Sequence, residues 1–243
     1  MLSLIVNRNE IVNLIDTLMR EPHKPSDGAE TRIQIKFDNW SRLNTHCYVC
    51  LLLLSAACFS SLSLVTNLGR RQLTFRVWLP FDNNTTMFLF YLTYFHQILA
   101  LLIGATLHVA LDCLIFGFLT HVCCQFKILE NRLRKITNEN RPVLRLCIRH
   151  HDCIYKFASN VNRMFGFTIF IQFFVTTSTI CFTLYQLTKV PPISFECLKI
   201  LLYMCCILTQ VYLYCWYGNL VETKSEEIAT TIFDIDWITL SDD

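Results

Sequence analysis

Four long apolar runs, Cys47–Leu68, Met87–Thr120, Phe165–Leu187 and Cys197–Leu220, constrain this chain of 243 residues more than any other feature. Each exceeds the roughly 20 residues that an α-helix needs to cross about 30 Å of hydrocarbon. The third run contains no Asp, Glu, Lys or Arg, and the second holds Asp112 as its one such residue. As a single helix the second run would be about 50 Å long, so it is expected to tilt or to project beyond the bilayer. Charged residues make up 16% of the chain, against about 25% in an ordinary soluble domain. A net charge of +2 is too small to point to nucleic acid. The expected fold class is all-α: a polytopic membrane helix bundle, four transmembrane helices with cytoplasmic helical extensions.

Orientation follows from the segments between the runs. Residues 1–46 carry six Lys or Arg and residues 121–164 carry nine, whereas 69–86 carry three and 188–196 only Lys189. Basic residues resist translocation, which puts the first two segments, and 221–243 with them, in the cytoplasm. The expected order is then a cytoplasmic amphipathic segment (1–46), a transmembrane helix (47–68), an extracellular loop (69–86) and a long transmembrane helix (87–120). A basic helical loop on the cytoplasmic side (121–164), a transmembrane helix (165–187), an extracellular turn (188–196), a transmembrane helix (197–220) and a cytoplasmic helix (221–243) complete it. Asn83-Asn84-Thr85-Thr86 holds two overlapping glycosylation sequons in a loop placed outside by this count, with Asn84 the expected acceptor. Asn39-Trp40-Ser41 falls inside, away from the transferase. Asn7–Met19 reads as an amphipathic helix ended by Pro22 and Pro25. No cleavable signal opens the chain, and its start in a polar segment suggests a piece of a longer protein or a truncated product.

Of thirteen cysteines, Cys50, Cys58, Cys113, Cys181, Cys205, Cys206 and Cys215 lie within the apolar runs, where a thiol acts as a small hydrophobe. Cys47 and Cys50 form a single CxxC, and His121-Val122-Cys123-Cys124 with Cys147, His150, His151 and Cys153 is rich in potential zinc ligands. Neither group has the second CxxC or HxxxH that makes zinc a strong reading, so structural thiols and no metal are expected.

Ionisable residues at bilayer depth are functional candidates by default. His108 and Asp112 are four apart on one helix face. Their distance from Met87 places them near the cytoplasmic surface, so a solvated or protein-facing pair is the expectation. His96 lies in the outer half with Tyr91, Tyr94 and Phe95. There a polar contact to a neighbouring helix competes with a ligand contact. Enzyme signatures are missing: the chain has no GxSxG, no HExxH and no phosphate-binding glycine loop, and only six glycines. Neither catalytic residues nor a cofactor are expected.

Cys215-Trp216-Tyr217-Gly218-Asn219-Leu220-Val221, followed by Ser225, Ile228, Phe233 and Trp237, resembles the junction between the sixth and seventh helices of insect odorant receptors. Thr231 and Phe233 are mild departures from the Ala and Tyr frequent there. Trp78-Leu79-Pro80-Phe81-Asp82 is similar to the family's extracellular motif before its fourth helix. Gln125-Phe126-Lys127-Ile128-Leu129, Arg132-Leu133 and Cys147-Ile148 with His151 are similar to its second intracellular loop. The resemblance covers nearly the whole chain, as helices three to six and the start of seven.

The resemblance implies a subunit of a tetrameric, odorant-gated, non-selective cation channel built with a shared coreceptor, in the plasma membrane of sensory neurons. It implies an intersubunit anchor on the cytoplasmic side, carried here by Leu129, Leu133, His151, Gly218, Asn219, Ser225, Ile228 and Trp237. The residues agree with such a use. His121–Ile136 places Val122, Phe126, Leu129, Leu133 and Ile136 at three- and four-residue spacing among basic residues, and Ser225–Leu240 does likewise among acidic ones. A basic and an acidic amphipathic helix on one side are suited to dock. The implied ligand pocket for small volatiles lies in the outer half, mostly apolar and aromatic with few polar handles. Its candidate residues are Phe59, Ser63, Tyr91, Tyr94, His96 and Tyr203. The rivals are a gustatory receptor of the same fold, a truncated receptor without function, and an inverted-repeat transporter. The last is disfavoured because Pro191 and Pro192 sit in a turn and no pair of broken helices is present.

Overall fold

In the computed structural model, residues 8–18, 22–67, 73, 87–136 and 141–234 are described. Every regular element among them is helical: α1 (Arg8–Leu18), α2 (Gly28–Asn67), α3 (Met87–Leu133), α4 (Arg141–Leu187) and α5 (Phe195–Phe233). Helices α2 to α5 are each long and apolar enough to cross a membrane. Each also runs past its apolar stretch. α2 begins at Gly28 rather than Cys47, and α4 begins at Arg141 rather than Phe165. α3 continues beyond Thr120 to Leu133, and α5 beyond Leu220 to Phe233. The expected helix at His121–Ile136 is therefore, as far as Leu133, the end of α3, and the described part of the one at Ser225–Leu240 continues α5 to Phe233.

Local chemistry explains the ends. Pro22 and Pro25 precede α2, whose first turn is capped at Asp27: the Thr31 amide donates to the Asp27 carbonyl at 3.0 Å. Glu30, in that turn, reaches back to accept from the Ser26 amide at 2.8 Å and the Ser26 hydroxyl at 3.1 Å, supplying donors of a helix start with an acceptor. α4 closes with tightened i→i+3 bonds, Lys189 to Gln186 and Val190 to Leu187, before Pro191 and Pro192. Ser194 then caps α5, its hydroxyl accepting from the Cys197 amide at 3.1 Å. Hydroxyls on the apolar stretches donate back along their own helices. Ser55, Ser60, Thr93, Thr106, Ser178 and Thr209 each bond the carbonyl four residues earlier, which satisfies a polar group where lipid offers no partner.

The chain divides into two compact units: Met1–Leu43 with Ile115–Phe173 and Leu213–Asp243, and Asn44–Leu114 with Phe174–Tyr212. The first has a dense aromatic and aliphatic core. Ile115, Phe116, Phe118, Val122, Phe126, Ile128, Leu129, Phe157, Phe165 and Tyr217 are buried there. Phe116 stacks on Tyr217 at 4.9 Å and meets Tyr214 edge-on at 4.9 Å. The second unit has a smaller core with large apolar side chains facing outward, among them Phe88, Phe95, Phe174 and Phe182. An outward apolar surface of this kind suits lipid.

Candidate functional site

In the second unit a carboxylate lies buried between three helices. Asp112 on α3 is 1% exposed. Its Oδ2 accepts from the Tyr48 hydroxyl on α2 at 2.7 Å and from the Gln210 side-chain amide on α5 at 2.7 Å. The Gln210 amide nitrogen also lies 2.7 Å from His108 Nε2. An amide nitrogen only donates, so His108 Nε2 accepts and the ring is the neutral Nδ1–H tautomer. His108 Nε2 stands 3.7 Å from Asp112 Oδ2. Residues 108 and 112, expected to share a helix face, are joined through the Gln210 amide rather than to each other, with Asp112 facing the protein and His108 half-buried. Tyr48 and Gln210, separated from Asp112 by 64 and 98 residues, had no local sequence signal beyond being polar in apolar runs.

Nearer the start of α3, Tyr94 is 5% exposed and its ring stacks on Phe90, 6.3 Å away. Its hydroxyl is buried and makes no hydrogen bond among the described residues. Among the other expected pocket residues Ser63 is buried and Phe59 half-buried, while Tyr91, His96 and Tyr203 are exposed.

The first unit is organised around Arg132, near the end of α3 and 5% exposed. Its guanidinium forms a bidentate pair with Glu30, Nε to Oε1 at 2.9 Å and Nη2 to Oε2 at 2.8 Å. It also donates to the Pro22 carbonyl at 3.0 Å, the Lys24 carbonyl at 3.1 Å and His150 Nδ1 at 3.2 Å. Since Arg132 only donates, His150 Nδ1 accepts, and its Nε2 donates to Gln125 Oε1 at 2.9 Å. Gln125 passes the chain on, donating to the His23 carbonyl at 3.1 Å. The segment from Pro22 to Glu30 is thereby tied to α3 and α4. His23 is 2% exposed, edge-on to His150 at 5.7 Å. Burial, with the Arg132 charge adding to it, holds its pKa below the ordinary 6.5. Lys135 pairs with Asp27 at 2.7 Å at the exposed edge, and this hydrogen bond lowers the Asp27 pKa.

The expected anchor residues divide by burial. Leu129, Leu133 and Ile228 are buried, His151 is half-buried, and Gly218 and Asn219 are exposed. Ser225 bonds the Tyr155 hydroxyl at 2.9 Å. Lys127 on α3 stands 4.0 Å from Glu227 on α5, a contact between the basic and acidic faces anticipated from the sequence. A groove of about 350 Å³ runs between Phe126, Tyr155, Ala158, Gly218, Val221 and Ser225. A Cβ added at Gly218 would meet nothing within 4 Å. Trp237, Asn84 and the motif Trp78–Asp82 lie outside the described residues. All thirteen cysteines are free, and among the described residues no group of three or more His, Cys, Asp or Glu is placed to hold a metal ion.

Long apolar helices, buried polar clusters and outward-facing aromatics together define a multi-pass, all-α membrane protein. The sequence profile of the 7tm Odorant receptor family matches residues 1–243, and the chain belongs to that family, which is one of receptors and not of enzymes. Among curated proteins of Drosophila melanogaster, Odorant receptor 46a, isoform A, is 24% identical over 249 residues, covering 98% of this chain and 64% of that protein. Odorant receptor 67c is 24% identical over 179 residues, covering 70% and 43%. Odorant receptor 85c is 29% identical over 154 residues, covering 61% and 39%. The chain thus spans less than two thirds of the length of the relatives it matches. The solved insect olfactory receptor OR5 from Machilis hrabei shares the fold, with a TM-score of 0.76 at 16% identity over 93% of this chain and 59% of that one.

Proposed function

We propose that this chain forms the odorant-binding part of a receptor subunit that gates a non-selective cation channel together with a coreceptor. Ligands would enter the outer half of the bundle and meet Phe59, Ser63, Tyr91, Tyr94, His96 and Tyr203. The observation that carries this reading is the Tyr94 hydroxyl, buried and without a hydrogen-bond partner among the described residues. An orphaned buried polar group costs about 1–3 kcal/mol, which a ligand oxygen bonded to it would offset. The neighbouring Phe90 and Tyr91 rings, 5.7 Å apart, supply the apolar surface that small volatiles need. Both ends of the chain face the cytoplasm in this reading, on the basis of the Lys and Arg distribution. Asn84 carries glycan outside, and the membrane is the plasma membrane of a sensory neuron. The coreceptor, in a heteromeric tetramer, would seat against the groove beside Gly218, where open space is available for a partner's side chain.

The test is Tyr94→Phe in the longest receptor transcript containing this chain, expressed with the coreceptor. Dose–response currents are compared for an oxygenated odorant and its hydrocarbon analogue. Loss of one net hydrogen bond, about 0.5–1.5 kcal/mol, raises the half-maximal concentration of the oxygenated odorant by roughly 2- to 12-fold and leaves the hydrocarbon unchanged. Equal responses of wild type and variant to both would remove Tyr94 from the pocket.

A further inference from the structure

We propose that Cys47 and Cys50 are a site of S-acylation, taking long-chain fatty acyl groups as thioesters at the cytoplasmic boundary of α2. Both thiols are free and exposed. The rotational setting of α2 makes this more than composition. Tyr48 is 4% exposed and its hydroxyl bonds Asp112 at 2.7 Å, so it marks the inward face. At about 100° per residue Cys47 and Cys50 lie within roughly 60° of each other, both turned well away from Tyr48. Cys47 and Leu54 fall almost on one line, separated by seven residues, and Leu54 is 66% exposed with Leu53 50% exposed beside it. An acyl chain attached to either thiol has an outward apolar lane to lie along.

Depth is the second observation. Cys47 opens the apolar run, and the last charge before it is Arg42, with His46 between them. The two thiols stand about 8 and 12 Å along the helix from Arg42, at the level where a juxtamembrane cysteine meets a transferase working from the water side. Cys58 is exposed as well, yet it lies about 12 Å deeper than Cys50 by helical rise, within hydrocarbon. Cys181 and Cys205 are exposed within their apolar runs, each roughly 23 Å by helical rise from the end expected at the cytoplasm.

The step balances with a long-chain acyl-coenzyme A as donor. The cysteine sulfur attacks the donor's thioester carbonyl, the new S–C bond forms, and the donor's C–S bond breaks. Coenzyme A leaves as its thiol with the proton the cysteine gave up; nothing is oxidised or reduced. The proposal rests on the start of α2 facing the cytoplasm, and the test separates that premise from the site itself.

The whole chain is expressed in insect cells and free thiols are blocked. Thioesters are cleaved with neutral hydroxylamine, and each released thiol is tagged with a polyethylene-glycol maleimide that adds mass. Wild type is expected to show up to two hydroxylamine-dependent increments, Cys47→Ser and Cys50→Ser one each, and the double variant none. Cys58→Ser and Cys205→Ser should match wild type. An unchanged pattern in the double variant, or a loss in Cys58→Ser or Cys205→Ser, overturns the assignment. So does a wild-type chain without increments when an acylated control protein in the same cells shows them. In that last case a membrane-impermeant maleimide on intact cells identifies the cause. Labelling of Cys47 and Cys50 from outside refutes the orientation, and protection from outside refutes the site alone.

Discussion

Replacing Glu30 by Ala tests the Arg132 centre most directly. In the fold the Glu30 carboxylate and the Arg132 guanidinium are 3% and 6% exposed and joined by two bonds of 2.8 and 2.9 Å. After the substitution Arg132 keeps the Pro22 and Lys24 carbonyls and His150 Nδ1, all neutral acceptors, so its charge is buried without a counter-ion. Breaking such a pair costs about 3–5 kcal/mol, far beyond the worth of an exposed bridge. The cost falls on the segment the pair holds, residues 22–30 and the first turn of α2. It should be read there as local opening and not as global unfolding. Amide hydrogen exchange on the chain in lipid nanodiscs measures it. Protection in peptides covering Ser26 to Thr31 should fall by about two to three and a half orders of magnitude, while α5 is unchanged. Lys135→Ala, which removes an exposed bridge to Asp27, serves as the control and leaves exchange as it was. Adding Arg132→Met to Glu30→Ala should recover part of the protection, because the uncompensated charge is gone. Unaltered exchange in Glu30→Ala would refute the reasoning: the segment would be held by something other than this pair.

Acidification offers an independent probe of the same segment. His23 is held below 6.5 by burial, so the stability it contributes is complete above 6.5 and is lost as pH falls toward its depressed native value. Exchange in residues 22–30, corrected for intrinsic rates, should therefore quicken on acidification through that range, and His23→Leu should reduce the dependence, leaving the share of His150, whose pKa is pushed down to about 3 by burial beside Arg132. In the second unit Asp112→Ala removes this acceptor from the Tyr48 hydroxyl and the Gln210 amide, at about 1.5–3 kcal/mol for each hydrogen bond to the carboxylate lost. Asp112→Asn, which retains an acceptor, should lower the detergent melting temperature less, and equal melting of the two variants would speak against the cluster. Leu129→Ala, at a site 1% exposed, should cost about 2–5 kcal/mol through lost burial and the cavity left. By fluorescence-detected size exclusion it should reduce the folded fraction, whereas Ile193→Ala, fully exposed, should not.

The apolar stretches were legible because lipid imposes a simple rule, a run of about 20 residues with few charges, that any window of sequence can test. Their ends were not. From Gly28 to His46 and from Arg141 to Met164 the helices carry charged and polar residues at many positions, and hydropathy alone cannot tell such a helix from a loop. The buried faces within them, such as Val122, Phe126, Leu129 and Leu133 on α3, did follow the three- and four-residue spacing seen in the sequence. Asp112 announced itself as an acid in an apolar run, and its neighbour His108 by spacing. Arg132, Gln125 and His150 gave no such signal. Arg132 and Gln125 stood out in the family resemblance, but their partners Glu30 and His23 lie 102 residues away, and no local pattern reports a contact of that range.

That separation has a consequence for biosynthesis. Glu30 leaves the ribosome 102 residues ahead of the arginine that will neutralise it. At usual elongation rates this is a wait of about 5–20 s. During it α2 and most of α3 must already be placed in the membrane, while a carboxylate destined for the interior stays in water. Residues 22–30 can close over α3 only once both Arg132 and His150 have emerged, so the first-made part of this unit is among the last to settle. A folding intermediate with the early segment still open is therefore written into the order of synthesis. A nascent chain halted before Arg132 should present that segment to proteases and chaperones.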